Sequence, residues 1–509
     1  MRHLHLLAVG FTGIVGVAGW LASSASAQAP ERDINPPVAN CNVTPEAVEV
    51  KSPPGSGKPS SFKVTPITPD LLTSGQPCQQ VVSTVGRAGD DTVTNRQRGF
   101  DFYSWLTFIA MNSPADGKTT IGKGPRPGGD AMTMWENLEN YRPLADVMQN
   151  DDGKRKWGTR HVPDECKSLD GPGKIVFHLG EEAFNQPFKT GPLIDQDGNY
   201  ALFDILMNRP MFDFIEVNRL FSRRGQEEFD KEIEFPSGKN PEKNAAGQIT
   251  APGQMGAIML KVSYRILDPV ANSDLINQFH TSDALIYFPG PPLTKTGPTC
   301  VEKKLGLIGF HVGHKTRFAP QWVWTSFEHV SNVPDDVDVN EQVKTGKSLP
   351  LPRYTFFNKD CKDCEVNATP PKPWHPPASL KFPTTYRSQV VRTKMIPSHT
   401  QRDVDQLNQS FRSILKGTVW ENYILLTTQW PSDFEGIRTD PTGAPAPTYL
   451  ANSTLETYSQ GKVPLASSSC MACHGNAVSF QRRESDPSKF DGKPFNQSDF
   501  TFILEKAAP

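Results

Sequence analysis

The chain has 509 residues, with 53 basic and 55 acidic side chains and a formal net charge of −2. So even a balance gives no electrostatic case for nucleic acid or an anionic membrane surface as partner. The 46 prolines predict a path that is largely irregular and extended, yet a chain of this length still buries a sizeable core.

Arg2, an apolar run over residues 6–22 and an ending Ala25-Ser26-Ala27 are the three parts of a secretory signal peptide, with cleavage expected after Ala27. The run is short for a membrane span and holds four glycines, which favours cleavage over anchoring. No later stretch reaches spanning length. The mature chain is therefore expected to be exported to a compartment where thiols oxidise, without stable membrane insertion.

Residues 28–61 read as a Pro/Ser-rich lead-in, which a disulfide between Cys41 and Cys78 would pin to the body. Phe102, Trp105, Leu106 and Ile109 form a helical stripe, and Met134, Trp135, Leu138 and Tyr141 a second one before Pro143. Such stripes are core faces, so Met132, Met134 and Met148 are poor candidates for ligating a metal. Short strands are expected at 174–179 and 200–207, with Asp195-Gln196-Asp197-Gly198-Asn199 as a hairpin turn in their connection. That turn lacks the closing Glu of a calcium loop. A short helix at 212–221, a polar excursion at 225–254 and strands at 257–267 and 285–288 follow.

Residues 307–314 and 321–327 read as two strands, with Trp322 and Trp324 on one face of the second. His311 and His314 should then point to opposite faces, as should Glu328 and His329. Cys361-Lys362-Asp363-Cys364 is a C-x-x-C without a following histidine, read as disulfide-forming, internally or with Cys166 and Cys300. A helix over 403–416 stopped by Gly417, a buried strand at 423–430, a short helix at 449–458 and a terminal helix around Phe500, Ile503 and Leu504 complete the pattern.

The chemistry lies in Cys470-Met471-Ala472-Cys473-His474. With 8 Cys and 11 His in the chain, C-x-x-C-H is expected roughly 0.003 times by chance. Two thiols three positions apart can form thioethers to the two vinyl groups of one porphyrin, and the adjacent imidazole can then ligate its iron. A disulfide or half of a zinc site is the competing reading. Residues 475–509 contain neither Met nor His, so a sixth iron ligand must come from upstream or the position is open. The upstream histidines are His161, His178, His280, His311, His314, His329, His375 and His399; methionines include Met207, Met211, Met255, Met259 and Met395. His311 is preferred, because the glycines of its strand would let a flat porphyrin approach.

Residues 469–474 resemble the haem-attachment site of bacterial c-type cytochromes. Residues 105–112, 191–200, 307–334 and 450–474 resemble segments of large exported cytochrome c family proteins with a single haem. The resemblance implies one covalent haem c, with Cys470 and Cys473 as thioether sites and His474 as proximal iron ligand. Motif and export together imply a periplasmic electron-transfer protein with a redox partner protein. The missing downstream ligand leaves a haem enzyme with an open distal site, peroxidase- or oxidase-like, as the alternative. The expected architecture is α+β: an antiparallel-strand-rich body over 62–430 with flanking helices, and a haem segment over 431–509 packed onto it.

Overall fold

One sixteen-residue strand, Thr299–His314, is the spine on which a nine-stranded sheet is built. This computed structural model describes residues 47–50, 61–64 and 93–509, apart from 117–118, 122–130, 240–241, 247, 252, 292, 294–296, 317–318, 362, 394, 432–444, 461–468 and 481–497. The expected signal segment, Cys41 and Cys78 lie outside the described residues. Across the end of the expected lead-in, Ala47–Val50 pairs with Ser61–Val64 as two short antiparallel strands.

The elements of the sheet and its cover are, in chain order, α1 (Val93–Asn112), β1 (Tyr141–Pro143), β2 (Ile175–His178), β3 (Leu202–Asn208), α2 (Arg209–Val217), β4 (Ile258–Leu267), β5 (Thr281–Phe288), β6 (Thr299–His314), β7 (Val323–His329), α3 (Ser398–Ile414), β8 (Tyr423–Pro431), β9 (Pro445–Ala446) and α4 (Cys470–His474). The order across the sheet is β9-β8-β7-β6-β4-β3-β1, and β5 pairs with the first half of β6. Every pairing is antiparallel except β2 beside β5. The fold is α+β.

Hydrophobic alternation aims one face of the sheet at α1 and α3. Leu260, Val262 and Tyr264 of β4, Phe310 and Val312 of β6, and Phe327 of β7 meet Phe102, Trp105, Phe108 and Ile109 of α1 there, with Val404, Leu407 and Phe411 of α3 behind. The hydrophobic effect on this apolar area dominates the core. A bulge between Leu307 and Gly309 changes which residues of β6 face the helices, so Leu305 and Leu307 before it and Phe310 and Val312 after it all enter the same core. Gly309, His311 and Gly313 are thereby left on the opposite face.

Several local expectations change in the structure. The stripe Met134–Tyr141 is not a helix. Glu136 instead accepts from Thr133 and reaches His280 and Ser282, Trp135 Nε1 donates to Asn112, and Tyr141 joins β3 as a strand residue. Asp195 to Asn199 does form a turn, with Gly198 at φ 81°, but it closes the bridge between Ile194 and Tyr200 and is not a hairpin between β2 and β3. Trp322 precedes its strand, at φ 75°, though it still packs beside Trp324 with ring centroids 6.0 Å apart. The terminal helix is a 3-10 turn, Phe502–Lys506. Cys166 bonds Cys300, with Cα atoms 5.1 Å apart, and Cys361 bonds Cys364. Among the described residues no helix is long and apolar enough to cross a membrane.

Candidate functional site

The face of the sheet away from α1 carries Met259, Lys261 and Ser263 of β4, Gly309, His311 and Gly313 of β6, and Trp324, Ser326 and Glu328 of β7, in register across the three strands. Residues 450–460 lie across it in turns rather than in the expected helix, because their side chains bond to the strands. Asn452 Nδ2 donates to the Phe327 carbonyl at 2.9 Å and the Ser453 N–H to Glu328 Oε2 at 3.1 Å. Thr454 and Ser263 share a hydroxyl hydrogen bond of 2.8 Å. A Cβ at Gly309 would collide with both of those hydroxyls. At Gly313 it would press on Met259 and Trp324. These two glycines therefore admit protein side chains, not the open approach expected for a porphyrin.

α4 then brings Cys470, Cys473 and His474 together at i, i+3 and i+4 on one side of a short helix. Ser469 caps it, accepting from the Ala472 N–H, and also donates to Gln429 Oε1 at 3.1 Å. The same oxygen accepts the Met471 N–H at 2.8 Å, so β8 fixes the start of the helix. Met471 is buried in a cluster with Met207, Met211, Met259, Trp322 and Trp324, which anchors the opposite side.

His474 Nδ1 lies 2.7 Å from the carbonyl oxygen of Phe500. A carbonyl only accepts, so the neutral ring carries its proton on Nδ1 and its lone pair on Nε2. The ring packs on Trp324 and Phe502, at centroid distances of 4.4 and 5.2 Å. Burial, with Lys261 and His311 adding to it, pushes the imidazole down to about 4 against the pull of the Phe500 carbonyl and Glu456. It is neutral at neutral pH, as a metal ligand must be.

Both thiols of the motif are free and half-buried. Burial and the nearby Glu456 carboxylate push Cys470 well above the usual thiol range and Cys473 to about 11, with Lys261 partly offsetting the latter. Such thiols stay protonated, unlike the low-pKa cysteine of a disulfide oxidoreductase. Among the described residues no cluster of three or more His, Cys, Asp or Glu is arranged to hold a metal ion. Trp324 Nε1 is buried with no acceptor among the described residues. An unused donor beside a neutral imidazole and two adjacent free thiols fits a group that bears vinyls, carboxylates and an iron, as haem does.

His311 points into this face while His314 points to α1, where Tyr103 bonds its Nδ1. The preferred sixth ligand is otherwise engaged: His311 Nε2 lies 3.0 Å from both oxygens of Glu456. It could ligate through Nε2 only by releasing that carboxylate. Burial tends to raise Glu456, but His311 and Lys261 bring it below the usual carboxylate range. His280 is held by Glu136 and His329 by the Gln278 carbonyl and Ser331, both away from α4. Gln429, Glu456 and the Phe500 carbonyl were not foreseen, since all three act through contacts more than 20 residues away in sequence, or from within a segment read as a helix. No protein-family model, curated protein or solved structure matches the chain.

Proposed function

We propose that the chain is an exported c-type cytochrome with one covalent haem, joined through Cys470 and Cys473 and ligated by His474, that exchanges electrons with a redox partner protein. The observation that carries this reading is the His474 ring, whose Nδ1 proton is committed to the Phe500 carbonyl and whose Nε2 has no partner among the described residues, beside two unpaired thiols. Haem held there would supply a one-electron couple at its iron.

The remaining work falls to the chain itself. Gln429 and Ser469 orient α4, and Trp324 and Phe502 fix the plane of the imidazole. Residues 452–460 seal the sheet face against water through Glu328 and Ser263.

Expression of the full chain with a haem c attachment system tests the reading. The protein should retain haem on a denaturing gel, in the periplasmic fraction, with an N-terminus at Gln28. The double change Cys470→Ala and Cys473→Ala should abolish the denaturation-resistant haem. Wild-type protein that loses all its haem on denaturation would sink the proposal.

A second reading, a haem oxidoreductase with an exchangeable sixth position, is supported by the His311–Glu456 acid–base pair beside the motif. Carbon monoxide separates the two. An electron carrier with both axial positions filled leaves the reduced spectrum unchanged, whereas an open site binds the gas readily.

A further inference from the structure

The carbonyl that orients His474 belongs to a conformationally costly turn. Asp499 and Phe500 are consecutive non-glycine residues at φ 49° and 61°, in the left-handed region that L side chains disfavour. Asp499 is 1% exposed and is gripped from three separate stretches of chain. Its Oδ2 accepts from Lys315 Nζ at 2.6 Å and from the Phe235 N–H at 2.7 Å, and its Oδ1 from Trp322 Nε1 at 3.2 Å. Lys315 follows β6 directly, Trp322 immediately precedes β7, and Phe235 lies in the excursion between α2 and β4. The Thr501 N–H donates to the Ser498 carbonyl at 3.1 Å and closes the turn.

We infer that Asp499 is a positioning residue for the proximal imidazole: its buried contacts to Lys315 and Trp322 hold residues 499–500 in the left-handed turn that presents the Phe500 carbonyl to His474 Nδ1. The inference rests on the haem c reading above. A carbonyl drawing on the Nδ1 proton raises the electron density at Nε2, which favours oxidised over reduced iron. Loosening the turn should therefore make the iron easier to reduce.

The test is a redox titration, followed by absorbance, of the full-length haem-loaded protein and its Asp499→Asn, Lys315→Met and Trp322→Phe variants. The first two should each raise the reduced-to-oxidised ratio at fixed ambient potential roughly tenfold, a rise of about 59 mV for one electron, and the third less. The shared sign is the diagnostic feature. Removing a negative charge and removing a positive charge would move the potential in opposite directions if the pair acted only through its field. Opposite shifts, or none, overturn the inference.

Should either charge variant fail to fold, Trp322→Phe decides, because it keeps both charges and removes one hydrogen bond to Asp499. An unchanged potential in that variant overturns the inference. Wild-type protein without covalent haem overturns both readings, whereas attached haem with an unmoved potential overturns only this one.

Discussion

On one face of the sheet, Trp105 lies parallel to Phe411 at 4.9 Å and edge-on to Phe327, also at 4.9 Å, in a contiguous aromatic and aliphatic core. On the other face, Asn452, Ser453 and Thr454 reach the strands through hydrogen bonds to a carbonyl, a buried carboxylate and a serine hydroxyl. The first face is held by area removed from water, which is tolerant of direction. The second adds to a smaller apolar cluster around Met259, Trp324 and Met471 a set of paired polar groups, each of which must find its partner in place. The His474 imidazole, oriented by the Phe500 carbonyl, sits on the directional face.

The largest effect that would break this contrast lies on the apolar side. Trp105 is fully buried and its Nε1 donates to Asn408 at 3.0 Å. Trp105→Ala should cost about 3–5 kcal/mol of folding stability, read as a lower denaturant midpoint with an unchanged slope. If haem is attached as proposed, the protein that remains folded should carry the wild-type complement, because α1 packs on the opposite face of the sheet. Loss of haem in proportion to nothing but the folded fraction fits; loss beyond it does not.

On the polar side, Glu328 is 0% exposed, pairs with Arg392 Nε and accepts from Ser453. Arg392 in turn donates to Asp335 Oδ1 at 2.7 Å. Glu328→Gln leaves the guanidinium short of its partner and should cost about 3 kcal/mol, the lower end of the range for a broken buried pair. Unlike the change at Trp105, it should also expose residues 452–460 to proteolysis while the rest of the chain is still folded. Equal protection of that segment in the two variants would show that both faces open together.

Sequence periodicity reveals much of the apolar face, because burial imposes a pattern on neighbouring residues: the stripes of α1 and α3 and the strand character of β4 are legible directly, whereas only residues 307–314 of β6 are, and the bulge at Leu307 and Gly309 interrupts its alternation. The opposite orientations of His311 and His314 followed from strand geometry alone. On the polar face, legibility is confined to the orientation of His311 and to Cys470, Cys473 and His474, which lie within five residues of one another. The pairing of Glu328 with Ser453, or of His474 with Phe500, leaves no local pattern. The residues 449–458 show the limit most clearly: their apolar spacing suits a helix, but Asn452 and Ser453 bond to β7 and hold the backbone in turns.

The smallest effect concerns acid, which would place a charge on the apolar face. His314 and His329 are buried on the helix-facing side of β6 and at the end of β7, and burial pushes each down to about 3. Each is therefore neutral in the folded chain at pH 5.5, while in the unfolded chain it takes up a proton below about 6.5. Unfolding then binds protons between those two values, so these groups make stability rise with pH through that window and fall as acid is added. Between pH 7 and pH 5.5 the loss should be about 1 kcal/mol per histidine. The buried Asp101 carboxyl, pushed up to about 7 by burial, takes up its proton in the folded state and works in the opposite direction over the same range. The bare slope of stability against pH is thus a small difference, and the informative measurement is the change in that slope on substitution. His329→Gln should reduce proton uptake on unfolding at pH 5.5 by close to one, and an uptake equal to that of the wild type would mean that the ring is already charged when folded.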